Sequence, residues 1–329
     1  MAGMQKILVT SIGSFSADIV IKKLHENGYF VVGTDIYPKE WVVDAQNVDE
    51  FYKIPPVREV ENYIESLLKI CKKNKIDYIF PLTDVEIDIL NKYRSIFGEI
   101  SVTICISAYE AICVCRNKRA TEVTLTQANV GKIITSYSNQ EIKDRRLSFP
   151  VVCKPIDGRS SQGLKIFEDE EMFFEFYDRI DADKYLIQPY IAGNIITVDI
   201  VRSEISNNCV AIARKELLRT LNGAGLCVQV FKDEELERLC MKLAEILDIN
   251  GCVNFEFIES DDGKRYFLEC NPRFSGGVEF SVMSGYDCIM NHLRCFEGKD
   301  IETKVNIKEY CISRKYEEYI TDFKAKNNQ

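Results

Sequence analysis

Glu256 and Glu269 are the residues in this chain whose setting and spacing most clearly invite chemistry. Each interrupts an apolar run, Val253 to Ile258 and Tyr266 to Cys270, and the two runs flank Asp261-Asp262-Gly263. Turn-forming residues between two β-type runs read as a β-hairpin. With Ser260 paired to Arg265 across a four-residue loop, Glu256 falls opposite Glu269 on the same face. Two facing carboxylates in a half-buried sheet repel each other, and a cation relieves the repulsion. Asn271, two residues beyond Glu269, adds a neutral oxygen on the same side. Such a hard-oxygen set suits Mg²⁺ or Mn²⁺, especially where phosphate oxygens complete the shell. The alternative is a surface hairpin whose two glutamates face water, and the spacing alone does not decide between them.

A second cluster lies in SFPVVCKPIDGRSSQGLKIF (148 to 167), a strand, a small-residue loop and another strand. Lys154 closes an apolar strand, where an unpaired ammonium is costly unless an anion meets it. The loop from Asp157 to Gly163, with Ser160 and Ser161 at its centre, is rich in small residues whose amides can approach phosphate closely. It lacks the Walker pattern, so it is no P-loop, and by itself such a loop is more often an ordinary hairpin turn. Next come two strand-like runs broken at Pro189 and Gly193. The segment Gln188-Pro189-Tyr190-Ile191 between them could present backbone groups to a planar base.

The framework around these residues is set by periodicity. KILVTS (6 to 11), YFVVGT (29 to 34), IDYIFP (76 to 81) and ISVTICIS (100 to 107) alternate with helical patterns over Ala17 to Asn27, Glu59 to Lys75 and Asp84 to Tyr93. That alternation predicts a small doubly wound parallel sheet. The first turn has one glycine, Gly13, where a dinucleotide fingerprint needs three, and Asp35 reads as a turn cap rather than a ribose ligand. The 329 residues, 46% hydrophobic, fit two or three domains. Thirteen scattered cysteines with no CxxC pair, and only two histidines, argue against a zinc site and for buried reduced thiols. A net charge of −9 argues against general binding to nucleic acid or anionic membranes. With no run of 18 apolar residues and no signal-peptide pattern, a cytoplasmic protein is expected.

Taken in order, these pieces resemble the ATP-grasp superfamily, and within it the carbamoyl-phosphate-synthase-like and biotin-carboxylase-like branch, as a single synthetase unit. The resemblance runs from KILVTSIGS to about Gly298, and includes Asp84-Val85-Glu86 as a D-x-E element after the third strand. It implies α/β and α+β architecture: a Rossmann-like preATP-grasp domain (1–115), a small ATP-grasp subdomain with the phosphate loop (116–191), and a large subdomain with the metal site and C-terminal tail (192–329). By the same resemblance, Lys118 and Lys154 reach the nucleotide phosphates, and Ser160, Ser161 and Gly163 belong to a loop over them. Gln188, Tyr190 and Ile191 fall on the adenine hinge. Glu256, Glu269 and Asn271 match the metal triad for Mg²⁺ or Mn²⁺, and Arg273 the arginine beside the transferred phosphate. Two departures stand out: Ile195 replaces a ribose-binding glutamate, and Gln188-Pro189 alters the hinge.

The implied activity is that of an ATP-dependent carboxylate–amine ligase. A carboxylate attacks the γ-phosphorus, ADP leaves, and an amine displaces phosphate from the acyl phosphate. The partners expected are a small carboxylate and an amine, with a homodimer left open. Arg214 and Arg219 are further anion contacts or solvated arginines. Ser11, Ser14, Thr83, Asp84 and Glu86 either hold substrate or, for the two acids, favour the start of the next helix. A reduced nucleotide-binding module and a bicarbonate-phosphorylating enzyme are the alternatives. YEEYITDFKAKNNQ reads as a terminal helix and tail.

Overall fold

The alternation at the N-terminus builds a parallel sheet. In the computed structural model, which describes residues 4–158, 162–220 and 223–322, five strands run in the order β3-β2-β1-β4-β5. They are β1 (Lys6–Thr10), β2 (Phe30–Asp35), β3 (Glu50–Lys53), β4 (Tyr78–Phe80) and β5 (Thr103–Ile104). The helices α1 (Ala17–Glu26), α2 (Val60–Asn74) and α3 (Asp84–Gly98) are the crossovers. Tyr63, Ile64, Leu67, Ile70 and Cys71 give α2 one buried face at helical spacing. β3 was not expected: EFYK is short, charged at both ends and half-buried, as edge strands often are. Asp35 accepts from the amides of Gly13 at 2.9 Å and Tyr37 at 3.0 Å, so it caps the flanking turns.

Two helices, α4 (Tyr109–Arg116) and α5 (Lys118–Ala128), lead to β6 (Lys132–Ile133). The small subdomain comes next with α6 (Asn139–Lys143), β7 (Val151–Pro155), β8 (Lys165–Phe167), α7 (Glu170–Tyr177) and β9 (Tyr185–Pro189). Its antiparallel sheet has the order β8-β7-β9. The large subdomain adds β10 (Asn194–Arg202), β11 (Cys209–Arg219), β12 (Gly225–Phe231), α8 (Glu234–Ile246), β13 (Gly251–Glu259), β14 (Arg265–Asn271), α9 (Val278–Met283), α10 (Cys288–Phe296) and β15 (Cys311–Ser313). Its seven strands run β15-β12-β11-β10-β13-β14-β6. Because β6 joins this sheet and Leu125 of α5 lies in its core, residues 116–136 pack with the large subdomain. The three-stranded unit therefore starts near residue 137, later than the boundary at 116 drawn from sequence.

Residues 316–322 do not form the expected terminal helix; they run back along the N-terminal domain, where Thr321 Oγ1 donates to the Glu40 carbonyl. Among the described residues no helix is long and apolar enough to cross a membrane.

Gly193 shows how tightly the hinge between the subdomains is packed. A Cβ there would lie 2.2 Å from the Glu259 carbonyl oxygen and 2.7 Å from its carbon, both backbone atoms that cannot rotate away. Gly193→Ala is expected to push β10 off β13 at roughly 2 kcal/mol or more, read as a lowered midpoint in denaturant unfolding.

Candidate active site

The hairpin reaches the expected pairing by an unexpected route. Glu259, not Ser260, pairs with Arg265, and Phe257 with Phe267; then a bulge admits one extra residue, Leu268, and the register becomes Glu256 opposite Glu269. The loop is also shorter than expected. Ser260 and Lys264 bond across three residues, with Gly263 at φ +76 in the left-handed region that glycine favours. A slip of one residue at the turn would have separated the carboxylates, and the bulge restores them.

Alternation then sorts the faces. Phe255 and Phe257 go into the core beneath α8, with Leu236, Cys240 and Leu243. Glu256 faces the other way. Registers across four strands place Glu269, Glu256, Thr197 and Arg214 in one row. The opposing sheet is sorted in the same way: Val151 and Cys153 join the aromatic core around Phe173, while Val152 and Lys154 face the row. Between the sheets lies a cleft of about 620 Å³, closed on a third side by Ser14, Phe15, Ser16, Thr83 and Asp84 of the N-terminal domain.

Lys154 is 6% exposed. Burial pulls its ammonium down to about 8, against the attraction of Glu269 and with the repulsion of Lys118. Lys118 begins α5, capped by Asn117, which accepts from Ala120 N at 3.0 Å. Its amide donates to the Ile156 carbonyl, and its Nζ reaches the Gly158 carbonyl and lies 3.5 Å from Glu269 Oε2. Glu256 is pushed up to about 7 by burial and then by Glu269, despite the Arg219 Nη2 at 3.2 Å.

The carboxylate pair fits a divalent cation. Two acids face each other, and burial, then the neighbouring Glu269, raises Glu256 to about 7 even beside Arg219. Asn271 Nδ2 donates to Asn254 and Glu269, both at 3.3 Å, which leaves its carbonyl end for a cation. Among the described residues no group of three or more His, Cys, Asp or Glu could hold a metal. The two glutamates and Asn271 would therefore share an ion with oxygens from a ligand or water.

Arg273 projects from the end of the hairpin; its Nη2 donates to Asp84 Oδ2 at 2.9 Å and its Nη1 to the Phe274 carbonyl at 3.1 Å. Asp84 also lies 3.6 Å from Arg116, so this acid both starts α3 and joins the N-terminal domain to the hairpin. Arg214 is no solvated arginine. It is 2% exposed, bound to Asp199 at 2.6 Å, Glu216 at 3.2 Å and Ser275 at 2.9 Å. Burial lowers its pKa, but the two carboxylates outweigh that and raise it. Arg219 is half-buried against Glu256 and the Gly223 carbonyl.

Tyr190 and Ile191 border the apolar end of the cleft, beside Ile134, Ile195 and Ile258. Gln188 also lines it, but its Nε2 is held by the Ile134 carbonyl at 2.6 Å and Glu122 at 3.1 Å. Three expectations need correcting. Glu86 is buried under Tyr63 and Thr83, where burial raises its pKa, and Ser11 bonds to it there, so neither lines the cleft. Gly163 turns the loop at φ +74 against Pro155, and Gly158 and Gln162 face the cleft instead. Ser160 and Ser161 lie outside the described residues.

Glu122, Thr197 and Glu216 were missed. Glu122 stands one helical turn after Lys118, a spacing that could have disclosed it; Thr197 and Glu216 emerge only from the strand registers. His292 is buried and held neutral, with its pKa lowered to about 3 by burial, and its Nδ1 accepts from the Cys252 amide at 2.8 Å.

Residues 7–105 match the family described as PylC-like, N-terminal domain, and residues 181–318 the family described as ATP-grasp in the biosynthetic pathway with Ter operon. The stretch from 181 to 318 is thereby an ATP-grasp segment, behind a PylC-like N-terminal one. The carbamoyl phosphate synthase large chain of Clostridium perfringens is 28% identical over 185 residues, 52% of this chain but 17% of that one. The D-alanine–D-alanine ligase of Francisella tularensis subsp. novicida is 27% identical over 141 residues, 40% of this chain and 47% of the ligase. The matched stretches thus span less than half the length of either relative. The biotin carboxylase of Campylobacter jejuni, solved as a β-γ-ATP complex, superposes with a TM-score of 0.79 over 93% of this chain and 74% of that chain, at 17% identity. That likeness is one of fold: a cleft between an antiparallel sheet and a largely antiparallel one, behind a parallel N-terminal domain.

Proposed function

We propose that the protein is an ATP-dependent ligase that joins a small organic carboxylate to an amine through an acyl phosphate, releasing ADP and phosphate. The observation that carries this reading is the cleft itself. Lys154 on the small sheet faces the Glu256–Glu269 pair on the large one, Lys118 stands beside Glu269, and the Asp84–Arg273 ion pair lies at the N-terminal domain. The apolar end, with Ile134, Ile195 and Ile258, suits a base, and a nucleotide so bound would have its phosphates over the lysines and the acids.

Magnesium held by Glu256, Glu269 and Asn271 would offset the phosphate charge as it develops. Lys154, from the opposite sheet, and Lys118, from the start of α5, neutralise the same oxygens. Arg273 holds the substrate carboxylate or the departing phosphate by its forked donors. No side-chain nucleophile is required, because the carboxylate oxygen attacks phosphorus and the amine nitrogen then attacks the acyl carbon, losing a proton as phosphate leaves. The substrate enters where Ser14, Ser16 and Thr83 border the cleft, at the carboxyl ends of the parallel strands. The D-alanine–D-alanine ligase relative supports an amino-acid-like carboxylate over bicarbonate.

The test is product analysis with ATP, Mg²⁺ and a panel of amino acids, uronic acids and bicarbonate. ADP and phosphate released with an organic carboxylate and an amine support the ligase. AMP and pyrophosphate, turnover with bicarbonate alone, or tight ATP binding without turnover on any acceptor would each overturn it.

Lys154 adds a pH signature. Its pKa of about 8 means that the free protein begins to lose this charge just above neutrality, whereas bound phosphate favours the charged form. ATP affinity is therefore expected to weaken as pH rises through 8, by up to about tenfold per unit, with proton uptake on binding. Calorimetry in buffers of different ionisation enthalpy measures both, and Lys154→Met should bind weakly without that pH dependence.

A further inference from the structure

Nine of the thirteen cysteines are buried, and among them Cys115–Cys270 and Cys252–Cys288 are hydrogen-bonded thiol pairs sealed in the core. One pair is different. Cys227 on β12 and Cys311 on β15 have their sulfurs 3.9 Å apart, with Cys311 exposed and Cys227 half-buried. The registers Cys227 with Ser313 and Gln229 with Cys311 put the two thiols diagonally on one face of an antiparallel pair. A bond between them needs the sulfurs to close by about 2 Å, within reach of side-chain rotation and a small slide of an edge strand.

We propose that Cys227 and Cys311 are a thiol–disulfide pair that fastens the last strand of the large sheet in response to a low-molecular-weight disulfide. β15 has three residues and a strand partner on one side only. The segment after β15 bridges the molecule. Arg314 donates from its amide to the Leu226 carbonyl and from Nη2 to the Gly276 carbonyl at 2.9 Å. Its guanidinium lies 5.3 Å from the Phe15 ring centre, and Phe15 and Gly276 both line the cleft. Further on, Ile320 and Thr321 meet Gln46 and Glu40 of the N-terminal domain. The short strand thus anchors a strap between the cleft rim and the N-terminal domain, and the disulfide makes that anchor covalent.

The exchange balances. The Cys311 thiolate attacks one sulfur of the external disulfide and releases one thiol. Cys227 gives its proton to solvent, attacks the Cys311 sulfur and releases the second thiol. Two protein thiols are oxidised and one external disulfide becomes two thiols. The contact with Cys227 raises the Cys311 thiol above its ordinary value, so the first step quickens as pH rises.

The experiment treats the full chain with oxidised glutathione and maps disulfides by non-reducing peptide mass spectrometry, alongside Cys227→Ser and Cys311→Ser. The expected result is a Cys227–Cys311 link in the parent protein and in neither variant. Proteolysis beyond Ser313 should slow by about tenfold on oxidation, in line with the constraint a disulfide imposes, and recover with reductant. A glutathione adduct that persists on Cys311, or a link made by Cys113 instead, overturns the pairing. A Cys227–Cys311 link with unchanged proteolysis overturns the fastening.

Discussion

Glu269→Gln is expected to lower Mg²⁺-dependent ATP turnover by about a thousandfold, the upper end of what one group stabilising a transition state contributes. The residue faces Glu256 across the hairpin and lies 3.5 Å from Lys118, so it touches both the proposed cation and the phosphate-binding side of the cleft. The same substitution should leave the metal-free fold intact and more stable at neutral pH. Glu256 is raised to about 7, above its ordinary 4.5, by burial and then by Glu269. A carboxyl that binds its proton more tightly when folded contributes stability that is complete below the ordinary value and lost as pH rises through the folded one. In chelator, the melting temperature of the parent protein should therefore fall between about pH 5 and 7.5 relative to the variant. Mg²⁺ with nucleotide should remove that slope in the parent only. Melts across that range, beside an ADP-release assay at limiting Mg²⁺, make the comparison. Wild-type turnover in Glu269→Gln would show that Glu269 holds no metal.

Much of this site was legible because the local rules agree with the global ones. The alternation F-E-F and L-E-C-N fixes which side chains share a face whatever the rest of the chain does, and the apolar period of α2 fixes its buried stripe. The hairpin register was reached from a wrong turn, because a bulge at Leu268 is a two-strand event that no single-strand pattern records. Long-range pairs were the least legible. Arg214 looks like any arginine on a strand until Asp199 and Glu216 enclose it, and Asp84 meets Arg273 from 189 residues away. Glu86 shows the converse. Its place at the start of α3 invited a substrate role, but the interior beneath β1 offered Tyr63, Thr83 and Ser11 as partners. The terminal helix failed for a related reason: the segment after Ser313 gains contacts with the N-terminal domain that a solvated helix would not make.

Arg273→Lys is expected to reduce turnover by about a hundredfold while leaving ATP affinity within about twofold, because a lysine keeps the charge but loses the fork. The geometry makes this a clean measurement. Asp84, deprived of the guanidinium at 2.9 Å, still has Arg116 at 3.6 Å, so the substitution does not leave its carboxylate without a cation. Asp84→Asn tests whether the ion pair aims Arg273 or merely neutralises it. If it aims, Asp84→Asn should itself lower kcat, and adding it to Arg273→Lys should cost little more, since partners that act as a unit are not additive. If it only neutralises, Asp84→Asn should leave kcat intact, because a freed guanidinium would be more available to an anionic substrate. One outcome is a loss and the other no change, and the ratio of kcat in the single and double variants separates them. An Arg273→Lys protein with undiminished kcat would remove this arginine from the reaction altogether, and the carboxylate would then have to be held from the Arg219 side of the cleft.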